Sequence, residues 1–125
     1  MAKLLVVDDD ENIRWILTTL FQSRSHEVRA AADGIDAMAT LDAEPDIELV
    51  LSDAHMVGMD GLTLLEHIRE QHPETLVVLM SAYASVDTAI AAIKAGAHDY
   101  LTKPLYLEDL QRVTDRVLAA TPRAS

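Results

Sequence analysis

The 125-residue sequence carries 21 acidic against 10 basic residues, a formal charge of −11, which repels nucleic-acid phosphates and anionic lipid headgroups and argues against direct DNA or membrane binding by this segment. It has no cysteine, which excludes disulfide frameworks and thiolate metal sites, and although half of it is hydrophobic only 4% is aromatic, so its one core must be built from Leu, Val, Ile, Ala and Met. No apolar run nears the roughly 18 residues of a membrane span, and Met1-Ala2-Lys3 leads into a strand-like run rather than a signal peptide, so a cytoplasmic protein is expected.

In chain order, the apolar run 4–7 predicts a first strand, ended by Asp8-Asp9-Asp10. A helix is predicted over about 11–22, with Ile13, Leu17 and Leu20 on one face and Asp10 as its N-cap. Weaker strand character over 27–31 precedes helical periodicity at 34–42. The run 49–51 predicts a third strand with Asp53 just beyond it, then a helix over 61–71. The run 76–80 predicts a fourth strand followed by Ser81, then a helix over 86–95 rich in small apolar groups, with Ala89, Ile90, Ala91, Ala92, Ile93 and Ala95. Not all faces of that helix can point inward, so a partner surface is expected there. A weak fifth strand at 99–101 leads to Lys103 and Pro104, and the last helix, 107–119, carries the stripe Leu110, Val113 and Val117.

Five β-α units with near-continuous hydrophobic strands predict a parallel sheet covered by helices on both sides. Five are too few for the eightfold barrel, which leaves the open doubly wound α/β fold. Residues 1–120 are expected to form one domain, with 121–125 (Thr121-Pro122-Arg123-Ala124-Ser125) a tail or the start of a linker.

In such sheets, sites collect beyond the carboxyl ends of the strands. That rule brings Asp8-Asp9-Asp10, Asp53, Ser81 and Lys103 to one edge, although dozens of residues separate them in sequence. Three carboxylates together repel one another, and a hard cation such as Mg²⁺ resolves the repulsion through oxygen ligands. Lys103 as a point charge and Ser81 as a hydroxyl donor suit a phosphoryl group, and one carboxylate is left free as a nucleophile. The five histidines lack metal-ligand spacing and are read as surface or loop residues.

Four blocks, Val6-Val7-Asp8-Asp9-Asp10, the stretch from Ser52-Asp53 to Asp60-Gly61, Met80-Ser81-Ala82, and Gly96 to Lys103-Pro104, resemble the signature blocks of the response-regulator receiver family of two-component signalling. The resemblance covers essentially the whole chain, in order and spacing. It implies a flavodoxin-like (βα)5 sheet of order 2-1-3-4-5, with Asp53 as phosphoacceptor and with Mg²⁺ held by Asp8, Asp9, Asp53 and the backbone carbonyl of His55. It further implies that Ser81 and Lys103 bind the phosphoryl group, that Tyr100 is an aromatic switch moving with Ser81, and that the Lys103–Pro104 bond is cis. Packing alone is the alternative role for Tyr100. The implied partners are a sensor histidine kinase and an output domain in cis or in trans, or a second copy, through the surface of helix four, strand five and helix five.

Two positions depart from the family pattern. Val57 stands where Pro is frequent, which loosens the loop after the acceptor, and the bulky His55 at the mouth of the site bears on the lifetime of the phosphorylated state. A Mg²⁺-dependent hydrolase with an Asp nucleophile is disfavoured, since position 55 is not the Asp that would serve as its general acid and no cap domain is present. A binding module with a dead acceptor is disfavoured because the expected groups are intact. The run Ile13-Arg14-Trp15 and the stretch 87–104 are most similar to receivers of the nitrogen-regulation type, which feed an ATPase and a DNA-binding domain in transcription.

Overall fold

Strands and helices alternate along the chain as β1 (Lys3–Val7), α1 (Glu11–Ser23), β2 (Glu27–Ala31), α2 (Gly34–Ala43), β3 (Leu49–Asp53), α3 (Gly61–Gln71), β4 (Leu76–Ser81), α4 (Val86–Lys94), β5 (Asp99–Thr102) and α5 (Leu107–Ala120). The computed structural model describes residues 2–56, 58–82 and 85–120; Val57 and the tail 121–125 lie outside them. The strands form one parallel sheet in the order β2-β1-β3-β4-β5, the doubly wound topology expected.

The sheet has two apolar faces because its strands alternate between two cores. Leu5, Val7, Val50, Val77 and Leu79 point toward α2, α3 and α4, whose Leu41, Leu64, Ile68 and Ala92 complete that core. Leu4, Val6, Leu49, Leu51 and Val78 point the other way, onto Leu17 and Phe21 of α1 and Leu110, Val113 and Val117 of α5. Burying one Leu or Val of this kind stabilises the fold by about 2 kcal/mol. Both faces being covered, the runs 4–7 of β1, 49–51 of β3 and 76–80 of β4 are continuously apolar, and polar residues stand only at the strand ends.

Four helices start on a side-chain cap. Asp10 accepts from the amides of Asn12 and Ile13, as expected of it, and Asp33, Asp60 and Ser85 do the same for α2, α3 and α4. Each cap is the last residue of the connection that leaves the carboxyl end of β1, β2, β3 or β4.

Two histidines read as surface or loop residues are half-buried acceptors of backbone N–H groups. His26 Nδ1 takes the amide of Ala2 at 2.9 Å, and His98 Nδ1 takes that of Val77 at 3.2 Å. Each satisfies an amide at the start of a strand that the ladder leaves unpaired, a role that spacing in sequence does not announce. No helix among the described residues is long and apolar enough to cross a membrane.

Candidate functional site at the carboxyl edge of the sheet

Asp8 follows the last residue of β1, Asp53 ends β3 and Ser81 ends β4, so the parallel register places all three at one edge. Asp8 and Ser81 are fully buried and Asp53 is 6% exposed, whereas Asp9 is exposed. The carboxylates of Asp8, Asp9 and Asp53 each offer an oxygen within 4.8 Å of the others. Asp10 faces away, its carboxylate engaged in capping α1.

Lys103 reaches this group from the loop after β5. Its Nζ lies 3.0 Å from Asp8 Oδ2 and 3.5 Å from Asp53 Oδ2. Its backbone N–H donates to the Ser81 carbonyl at 2.7 Å, which ties the loop to the end of β4. The Lys103–Pro104 peptide is cis. Burial works against the Lys103 charge, but the hydrogen bond from its ammonium to Asp8 and the charges of Asp8 and Asp53 outweigh it, and its pKa is raised. Asp8 is also raised, because its burial outweighs the help of the Asp10 amide and of Lys103.

The loop beyond Asp53 is built around a close approach. The His55 amide donates to Asp53 Oδ1 at 3.2 Å, the Ala54 amide to the Met80 carbonyl and the Gly61 amide to the Ala54 carbonyl. A Cβ on Gly61 would sit 2.4 Å from the Asp53 carbonyl oxygen and 2.6 Å from Ala54 Cα, so only glycine lets α3 start against the end of β3. The His55 side chain is exposed at the rim.

Behind this loop, Tyr100 is half-buried and packs against the α2–α3–α4 core. Its hydroxyl is 3.5 Å from Thr88 Oγ1, the outer limit of a hydrogen bond, and Thr88 forms a capping box with Ser85 at the start of α4. Tyr100 borders a groove also lined by Ala54, His55, Leu62, Thr88 and Ala92. On α4 only Ala92 is buried, while Val86, Ile90 and Ile93 stand exposed, as do Tyr106 and Leu107 at the start of α5.

The donor set is hard oxygen, and Lys103 is the one cation within ion-pair distance of those carboxylates among the described residues. A Mg²⁺ ion fits that chemistry through carboxylate ligands. Of the residues singled out in the sequence, Asp8, Asp9, Asp53, Ser81, His55 and Lys103 gather at this edge, with Tyr100 bordering the adjacent groove; the sequence shows Arg14 and Gly61 only as parts of longer motifs. The Arg14 guanidinium donates to the Asp8 carbonyl oxygen at 2.7 Å.

The response regulator receiver domain family matches residues 4–115. Regulatory protein AtoC of Escherichia coli is 39% identical over 117 residues, 93% of this chain and 25% of that protein. DNA-binding transcriptional regulator NtrC of Salmonella typhimurium is 36% identical over 115 residues, 91% of this chain and 24% of that protein. The chain thus spans about a quarter of the length of these relatives. Among solved structures, a response regulator receiver domain protein from Clostridium thermocellum superposes with a TM-score of 0.90 at 27% identity, over 96% of each chain. The chain therefore belongs to the response regulator receiver family, the Mg²⁺-binding phosphoacceptor switches of two-component signalling, and receivers of the nitrogen-regulation type are among its relatives.

Proposed function

We propose that Asp53 accepts the phosphoryl group, and that residues 1–120 work as one switch domain. The observation that carries this is the environment of its carboxylate: nearly buried, 3.5 Å from Lys103 Nζ, and grouped with two further carboxylates. An Asp53 oxygen would form a bond to phosphorus as the P–N bond to a kinase imidazole breaks, and the departing imidazole takes a proton from solvent. Asp8, Asp9, Asp53 and the His55 carbonyl would hold Mg²⁺, which when bound neutralises charge on the phosphoryl oxygens. Lys103 bridges acceptor and phosphoryl oxygen, and the Ser81 hydroxyl donates to another. The aspartyl phosphate is then lost slowly to water, with the exposed His55 ring at the mouth. The donor is a sensor histidine kinase, which draws on ATP, so this reading implies a cytoplasmic exchange.

Output follows from movement of Ser81 and Tyr100 toward the phosphoryl group, with Tyr100 leaving Thr88 and entering the groove beneath α4. The exposed apolar residues of α4 and early α5 then pair with an output domain or a second copy. Transcription is the output that the name of the DNA-binding transcriptional regulator NtrC favours. A coupling of about 1–3 kcal/mol would shift the populations roughly 5- to 150-fold.

The test is intact mass after treatment with a small phosphodonor and Mg²⁺. One phosphoryl group is expected on the parent chain and none on Asp53→Asn; labelling of the Asn variant would move the acceptor elsewhere. Amide exchange in α4 should change when beryllofluoride occupies Asp53. Occupancy without any change there or in self-association would leave a phosphate carrier rather than a switch.

A further inference from the structure

An arginine early in a surface helix is ordinarily a solvated charge. Arg14 has Asp8, Asp9, Asp10 and Glu11 within six residues of it, yet among the described residues its guanidinium forms no ion pair and donates instead to a backbone carbonyl, that of Asp8, at 2.7 Å. Its own amide donates to the Asp10 carbonyl at 3.1 Å. That second bond is the ordinary first-turn bond of α1; the contact particular to Arg14 is the reach of its guanidinium back along the acidic triplet to Asp8, from a half-buried position.

With that contact every polar group of Asp8 is engaged. Its amide donates to the Ala31 carbonyl at 3.2 Å, its Oδ1 accepts from the Asp10 amide at 2.9 Å, and its Oδ2 accepts from Lys103 at 3.0 Å. The carbonyl of Asp8 and the amide of Asp9 share one rigid peptide plane. The guanidinium thereby sets the plane from which the Asp9 backbone, and with it the exposed Asp9 carboxylate, departs.

We propose that Arg14 is a positioning residue for divalent-cation binding: by holding the Asp8 carbonyl it orients the Asp8–Asp9 peptide so that the Asp9 carboxylate meets those of Asp8 and Asp53. The inference rests on the Mg²⁺ site described above. It makes a prediction opposite in sign to simple electrostatics. The positive charge of Arg14 repels a cation, so its removal would tighten Mg²⁺ binding if charge were its only effect. Loss of the orienting bond weakens binding, as it does for other residues that hold metal ligands in place.

Calorimetric titration of the full chain with Mg²⁺ alone separates these effects. Arg14→Met is expected to raise the dissociation constant about 10-fold, the lower end for groups that orient ligands, and Arg14→Lys, which keeps a donor and the charge, is expected to recover most of the loss. Where the Met variant does not fold, Arg14→Gln serves, with the same expected direction. Labelling of Asp53 should return to the parental rate at saturating Mg²⁺, since Arg14 acts on cation occupancy. Parental or tighter binding in the folded Met or Gln variant, or a labelling defect that persists at saturation, would overturn the positioning role alone. Absence of Mg²⁺ binding by the parent chain would overturn the site reading and this inference with it.

Discussion

At the amino edge of the sheet, Lys3 lies 2.7 Å from Glu44 and 3.0 Å from Asp46, while Arg29 bridges Glu44 at 3.0 Å and Glu27 at 2.6 Å. At the carboxyl edge, Asp8, Asp9 and Asp53 crowd together and Lys103 is the one cation in ion-pair contact among the described residues. The two edges push carboxyl groups in opposite directions. Hydrogen bonds from Lys3, first, and then from Arg29 hold Glu44 below its ordinary value, whereas burial holds Asp8 above it. Charge that serves the fold is matched within the fold. Charge gathered and left unmatched in a buried place is a site for something that arrives from outside.

Moving the acceptor strand relative to α3 is the most drastic way to break this contrast. Gly61→Ala drives a Cβ into the Asp53 carbonyl; a destabilisation of about 3 kcal/mol is expected from urea unfolding, in the upper range of overpacking costs. Removing ligands comes next. Asp9→Ala should weaken Mg²⁺ binding by more than about 100-fold, beyond the range for groups that only orient ligands, and Asp8→Ala by less. Asp10→Ala should leave Mg²⁺ affinity unchanged and cost about 1 kcal/mol of stability through loss of the α1 cap. Equal losses of affinity at all three would mean that the acidic triplet is not divided into ligands and a cap.

Smaller effects sharpen the contrast. The Thr114 hydroxyl on α5 is buried without a hydrogen-bond partner among the described residues, so Thr114→Val is expected to stabilise the chain by about 1 kcal/mol with labelling unaltered. His98 is held below its ordinary pKa by burial, first, and then by the charge of Arg69. Its Nδ1 can accept the Val77 amide only while unprotonated. Because the folded pKa lies below the unfolded one, its contribution is present in full above the ordinary histidine value, about 6.5, and is lost as pH falls below it. Thermal melts of the parent should fall over that window more steeply than those of His98→Asn. Parallel curves would show that the amide contact carries no pH dependence.

Strand legibility followed position in the sheet. The central strands β1, β3 and β4 are covered on both faces, and their runs 4–7, 49–51 and 76–80 stand out at once. The weaker runs became β2 and β5, which are the two edges; β2 buries only Val28 and Ala31, and β5 has no buried residue. Helix faces were equally plain, since Leu17 and the stripe Leu110, Val113 and Val117 are buried as expected, with Ile13 and Leu20 partly so and Phe21 added. The site residues gathered because a parallel sheet puts every strand's carboxyl end on one edge. What stayed hidden was backbone-directed. The contacts of Arg14 to the Asp8 carbonyl and of His26 and His98 to strand amides depend on where the main chain passes, which residue type and spacing do not encode.

The central claim is that the carboxyl edge is built around a phosphoryl acceptor at Asp53. Its most direct test is to phosphorylate the chain with a small phosphodonor and Mg²⁺, reduce the product with borohydride, and locate the modified residue by peptide mass. An aspartyl phosphate reduces to homoserine, and homoserine is predicted at position 53 alone. Homoserine at position 8 or 9, or a phosphoryl group that survives reduction on a hydroxyl such as that of Ser81, would contradict the account.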